Sequence, residues 1–164
     1  MKKLLTLTFL ILSSYYCFSQ KTLLRYYNGK QRKHFYTTDF SEYGNGKNGW
    51  VLEGPSCVVY TAENRGRSIA PLFRYFNRRT GDHYYTLNFN EYGQGSNGYV
   101  LEGPACYLNM RQVPGTVPFF KYYNPYTNDH FYTIDKSELG RGGRDGYQFL
   151  GVEGFVYPAQ ANNY

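Results

Sequence analysis

Cysteine is scarce in this sequence, three residues in 164, which excludes a disulfide-framed miniprotein, since such a chain needs dense cysteine in place of a core. Charge is thin as well, at 18% of residues. A disordered chain combines few aromatics with high net charge, and this one has neither trait. The Ala, Leu, Glu and Lys that fill coiled coils and helix bundles do not dominate. After Leu12 no apolar run of membrane length occurs, so no membrane span is expected. What is plentiful is aromatic or turn-forming: Tyr 20 and Phe 12 carry aromatics to 20%, beside 18 glycines. Tyr, Phe and Thr suit pleated strands, and Gly and Asn suit the turns between them. Composition and length together predict one all-β domain of many short strands.

The first residues are of another kind. Lys2 and Lys3 precede the apolar run Leu4 to Leu12, and Cys17-Phe-Ser19 places small residues at the minus-three and minus-one positions of a cleavage site. Residues 1–19 therefore read as a secretory signal peptide, too short for the roughly 20 apolar residues of a membrane anchor. Cleavage after Ser19 removes two lysines and takes the net charge from +6 to +4. It also leaves two cysteines, Cys57 and Cys106, in a product expected to be extracellular, periplasmic or at the cell surface.

The rest is one unit written three times, over 22–63, 69–110 and 117–158, with a tail at 159–164. Leu24-Arg-Tyr-Tyr-Asn28, Phe73-Arg-Tyr-Phe-Asn77 and Phe120-Lys-Tyr-Tyr-Asn124 open the copies, and six residues after each Asn come His34, His83 and His130, spaced 49 and 47 residues apart. Three copies at such a period indicate a repeat architecture. Within a copy, two β-forming stretches flank a polar turn (28–33, 77–82, 124–129) and predict a hairpin. Asp39, Asn88 and Asp135, each with a Glu three residues later (Glu42, Glu91, Glu138), predict capped helical turns with the glutamate as capping-box partner. Two further strands, broken at Gly54-Pro55 in the first copy, bring the expected count to four per copy and twelve in all. Closing three copies about an axis removes exposed strand edges, so a pseudo-threefold, β-trefoil-like barrel is expected, with a small three-bladed propeller as the alternative.

The unit of Tyr-Tyr-Asn, a turn ending in Gly81-Asp-His83 or Asn128-Asp-His130, Phe-Tyr-Thr, a capped turn and a Gly-aromatic-x-x-Glu-Gly strand resembles the DUF5648 repeat family over essentially Leu24 to Tyr157. That resemblance implies exported bacterial and fungal relatives, in which the repeat accompanies peptidases or glycosidases or stands alone, and a noncatalytic accessory or binding module. The first copy departs from the pattern at Lys33, where the others have Asp82 and Asp129. The third departs at Leu150, where the others have Glu53 and Glu102.

The leading functional expectation is a secreted, noncatalytic recognition module with three related shallow sites for a glycan or cell-surface polysaccharide. Aromatic faces would stack on sugar rings and polar tips would bond their hydroxyls. The candidate ligand contacts are Asn28, His34 and Tyr36; Asn77, Asp82, His83 and Tyr85; and Asn124, Asp129, His130 and Tyr132. Against this stands a structural or protein-interaction module in which the same residues hold turns. A small hydrolase built on Glu53 and Glu102 is the remaining alternative, since neither has a capping role. No Gly-x-Ser-x-Gly, His-Glu-x-x-His or phosphate loop occurs, so no catalytic residue is assigned and no enzyme is expected. The histidine spacing carries no ligand signature, so neither metal nor cofactor is expected. Arg65, Arg67 and basic turn tips at Lys30, Arg32, Lys33, Arg78 and Arg79 suit a polyanion, but the third turn lacks them, which argues against nucleic acid. Cys57 and Cys106 share one repeat position, taken by Gly154 in the third copy. That position accepts only small residues and leaves a disulfide and two buried thiols as alternatives.

Overall fold

A computed structural model describes residues 19–62, 68–140 and 144–159. The expected leader, Ser19 apart, lies outside them, as do Arg65, Arg67 and the tail beyond Ala159. Among the described residues no helix is long and apolar enough to cross a membrane.

These residues form an all-β, antiparallel structure of nine strands. They are β1 (Gln20–Asn28), β2 (Lys33–Thr37), β3 (Trp50–Tyr60), β4 (Ile69–Asn77), β5 (Asp82–Thr86), β6 (Tyr99–Asn109), β7 (Val117–Asn124), β8 (Asp129–Thr133) and β9 (Gln148–Pro158). The twelve expected strands become nine because Gly54-Pro55 and its counterparts do not end a strand. Gly54, Gly103 and Gly151 take φ of +125°, +113° and +137°, and the ladder opposite them shifts register between Arg25 and Tyr26, Arg74 and Tyr75, and Lys121 and Tyr122. Glycine admits that backbone and the irregularity absorbs it, so each long strand bends and continues.

The hairpins form as the β-rich segments predict, with Tyr26 opposite Phe35, Tyr75 opposite Tyr84 and Tyr122 opposite Phe131. Each turn ends on a left-handed residue, Arg32, Gly81 or Asn128. The capped turns form too: Asp39, Asn88 and Asp135 accept the amides of Ser41, Asn90 and Ser137. The glutamates differ from expectation. They do not reach back to the cap amide, because Thr37, Thr86 and Thr133 hydroxyls already bond it. They turn outward to other partners.

The short strands β2, β5 and β8 are buried along their whole length and each pairs on one side only, with β1, β4 or β7. Their free edges meet, and a ring of tyrosines satisfies them. The Tyr85 hydroxyl donates to Tyr36 O and accepts from Tyr36 N, both at 2.8 Å. Tyr36 serves Tyr132 in the same way, and Tyr132 serves Tyr85. Around this ring lies the main core: Leu23, Leu72 and Phe119, then Val59, Leu108 and Val156, with both cysteines. The long strands also pair across units at one end, Tyr60 with Tyr107, Val58 with Tyr157 and Asn109 with Phe155.

Candidate functional site

All eleven candidate ligand contacts are buried, none more than 7% exposed. The asparagines tie each hairpin turn to the glycine loop before the long strand. Asn28 Oδ1 accepts the Gln31 amide and its Nδ2 donates to Asn48 O, and Asn77 and Asn124 bind Asn97 O and Asp145 O likewise. Gly98 sits so close that a Cβ there would lie 3.1 Å from Asn77 Nδ2, and its φ of +85° already excludes most side chains. The asparagine and the glycine therefore form one device. Tyr36, Tyr85 and Tyr132 make the core ring. None of these six presents a face on which a sugar could stack.

The histidines hold one unit to the next rather than fastening their own turns. His34 Nδ1 lies 2.6 Å from Asp129 Oδ2, and its amide donates to Oδ1 at 2.7 Å; His130 meets Asp82 in the same two-point manner. Each aspartate also accepts a tyrosine hydroxyl from its own unit, Tyr99 to Asp82 and Tyr147 to Asp129, both at 2.5 Å. Burial works against the Asp82 carboxylate, but the His130 ring and the Tyr99 hydroxyl hold its pKa below the ordinary value.

The first unit breaks this pattern at two positions together. Lys33 replaces the aspartate and Trp50 replaces the tyrosine that would donate to it. Lys33 Nζ reaches instead to the carbonyls of Thr127 and Asn128. His83 is consequently left with a buried Nδ1 that has no hydrogen-bond partner. It stacks on Phe76 at 4.6 Å between ring centroids and meets Phe35 edge-on at 4.7 Å. Burial, and then the nearby Arg74 charge, push its pKa down to about 3, so it is neutral across the physiological range. The paired departure at 33 and 50 was readable in the sequence, but not which histidine faced it.

Arginines and carboxylates complete the junctions. Arg25 pairs with Glu53 at 2.7 Å and with Glu138 of the third unit at 3.1 Å. Arg74 pairs with Glu102 at 2.8 Å and with Glu42 of the first unit at 3.2 Å. In the third unit Lys121 pairs with Glu153 at 2.6 Å, a carboxylate three positions beyond Leu150 that sequence reasoning missed. Cys57 and Cys106 are buried free thiols, and burial raises both pKa values. At the matching Gly154 a Cβ would come within 3.1 Å of Asn109 O, which agrees with the crowding read from the sequence. Among the described residues no group of three His, Cys, Asp or Glu side chains is placed to hold a metal ion.

A surface cleft of about 320 Å³ remains between the first and third units. Tyr27, Arg32, His34 and Glu53 line one side, and Asn124, Thr127, Asp145 and Tyr147 the other. Tyr27 packs tilted against His34, with ring centroids 4.8 Å apart, and is half-buried, as is Tyr147. Tyrosine at the rim and carboxylate, guanidinium and amide groups between are the chemistry of a polar, shallow recognition site.

No curated protein and no solved structure matches the chain. The family model described as a domain of unknown function, DUF5648, matches residues 18–162. With the whole described structure inside that match, the chain belongs to the DUF5648 family.

Proposed function

We propose that this chain is a secreted, noncatalytic carbohydrate-recognition module, built as three repeats closed about a pseudo-threefold axis in a β-trefoil-like arrangement. The observation that carries the recognition reading is the cleft between the first and third units. There the Tyr27 and Tyr147 rings flank Arg32, Glu53 and Asp145, so a sugar ring finds both an apolar face and hydroxyl partners. The closure draws support from the cyclic tyrosine contacts and from ladders that run between units. Propeller blades pack face to face and share no ladder, so these pairings favour the barrel-like alternative. Glu53 and Glu102 are each engaged by an arginine, which supports a noncatalytic role.

Of the recurring candidates only His34 and Asn124 line the cleft, where Tyr27, Arg32, Glu53, Thr127, Asp145 and Tyr147 join them. A glycan array probed with the mature protein tests this. Tyr27→Ala and Asp145→Ala are expected to lose binding while staying folded, whereas His83→Ala and His130→Ala are expected to lose stability. An array without signal, or binding unchanged in Tyr27→Ala, removes the assignment. One observation favours the protein-interaction reading instead: Phe149, Leu150 and Val152 are exposed on β9. On that reading Leu150→Asp abolishes partner binding and Tyr27→Ala does not.

A further inference from the structure

Ser56, Ala105 and Glu153 hold the same place in three ladders, each one residue before the Cys57, Cys106 or Gly154 that faces Leu23, Leu72 or Phe119. Where that residue is short, a cavity stands open at the unit junction. One of about 310 Å³ is lined by Arg25, Ser56, Thr133, Ile134 and Glu138. The other, of about 210 Å³, is lined by Arg74, Ala105, Thr37, Thr38 and Glu42. These five positions correspond one to one, as do Pro55 and Pro104, while Ala159 lines the first cavity alone and Asp39, Glu102 and Gly103 the second alone.

At the remaining junction, between the second and third units, the Glu153 side chain takes that place itself. Its Oε1 accepts the Leu87 amide at 2.6 Å and the Thr86 hydroxyl at 3.2 Å, and its Oε2 meets Lys121 at 2.6 Å, with the side chain 6% exposed. Thr38 and Ile134, the counterparts of Leu87, line the open cavities. Glu153 thus marks where an acceptor group sits at this junction and what holds it: a backbone amide at the end of the short inner strand, a threonine hydroxyl and a cation.

Charge decides what the open cavities accept. Each already sets one arginine against two carboxylates, Arg74 with Glu42 and Glu102, and Arg25 with Glu138 and Glu53. The closed junction has the same balance with its plug in place. Lys121 meets Glu153 directly and Glu91 through the Tyr84 hydroxyl, and Leu150 stands where Glu102 would be. A further anion would be repelled, whereas a neutral acceptor beside a donor is matched by a backbone amide, as at Leu87, and by the flanking glutamate.

We infer that the two open cavities are subsites for an uncharged polar group of a sugar, of the acetamido kind, and that Glu153 closes the third, leaving the molecule with two such subsites. This rests on the carbohydrate reading and deepens it. Titration of the mature protein with chitotetraose, by calorimetry and amide NMR, tests it. The Thr38 and Ile134 amides are expected to shift, and oligogalacturonate is expected to leave them unmoved. Ala105→Gln and Ser56→Gln place a neutral acceptor where the Glu153 side chain sits, and each is expected to remove one equivalent of binding. Leu150→Glu with Glu153→Ala recreates the open design at the third junction and is expected to add one, which keeps the test decisive if a plugged variant does not fold. If chitotetraose binds, is lost in Tyr27→Ala and is unaffected by plugging or opening, the subsites are refuted while the carbohydrate reading stands. If the wild-type protein does not bind chitotetraose but gives signal on the glycan array, the subsites are refuted and the carbohydrate reading stands; if the array is silent as well, both fall.

Discussion

At the scale of the residue, the informative side chain is the histidine whose buried Nδ1 has no hydrogen-bond partner, its Nε2 lying 3.9 Å from Glu102. His34 and His130 each gain two hydrogen bonds from an aspartate, and His83 gains none because Lys33 stands opposite. With its pKa held down to about 3 against an unfolded value of about 6.5, His83 binds a proton in the unfolded chain before it does in the folded one. Its contribution to stability is therefore whole above pH 6.5 and is lost as pH falls toward 3. At pH 5 the loss amounts to about 2 kcal/mol. Unfolding free energies from denaturant titrations at pH 7 and pH 5 are expected to differ by that amount in the wild type. His83→Phe, which keeps the stacking, is expected to remove most of the difference; a slope undiminished in the variant would place the proton elsewhere. Asp82, whose pKa is held below the ordinary value, adds stability that is lost as pH falls through and below the usual carboxylate range. The sequence displayed the recurrence of His34, His83 and His130 plainly. It did not display their partners, because Asp129 lies 95 residues from His34 and Asp82 lies 48 from His130. Periodicity identifies equivalent positions and is silent on which neighbour each one faces.

The elements were the most legible part. Alternating aromatics predicted the hairpins, the Asn-to-His spacing predicted their turns, and Asp39, Asn88 and Asp135 predicted the caps. The miscount at Gly54, Gly103 and Gly151 arose because a glycine, followed by proline in the first two copies and by Val152 in the third, signals either a turn or a bent strand, and only the facing strand decides between them. The inner strands raise a different question, since β2, β5 and β8 each leave an edge unpaired inside the protein. A buried N–H and C=O without partners would each cost about 1–3 kcal/mol, and three tyrosine hydroxyls meet that need. Tyr85→Phe keeps the ring and removes the one atom that serves both Tyr36 N and Tyr36 O. Its cost is expected at about 2–4 kcal/mol in chemical denaturation. Tyr27→Phe, at the half-buried rim, is expected to cost little. Equal effects at the two positions would mean that the hydroxyl ring does not hold the edges.

On the scale of the whole molecule, the three junctions are alike in frame and unlike in filling. The junction that joins Lys33 and Trp50 to His83 lacks the aspartate-centred contact of the other two. Lys33→Asp together with Trp50→Tyr supplies the carboxylate and the hydroxyl at once. The double variant is expected to be more stable than the wild type at pH 5 and to raise the His83 pKa, read by NMR titration of its ring. Lys33→Asp alone is expected to gain less, since no hydroxyl then supports the new carboxylate. A double variant no more stable than the wild type, with His83 still titrating near 3, would refute this account of the departure.

The tyrosine ring has a consequence for how such a molecule changes over time. In a linear stack of units, copies can be gained or lost at the ends without disturbing the rest. Here Tyr36, Tyr85 and Tyr132 each serve the next in a cycle that ends where it began. On the closed arrangement proposed above, a fourth copy has no seat, a missing copy leaves two strand edges bare, and novelty enters by divergence inside a copy. Lys33, Trp50, Leu150 and Glu153 are such divergences, and all four fall in the first and third copies, the two that border the cleft.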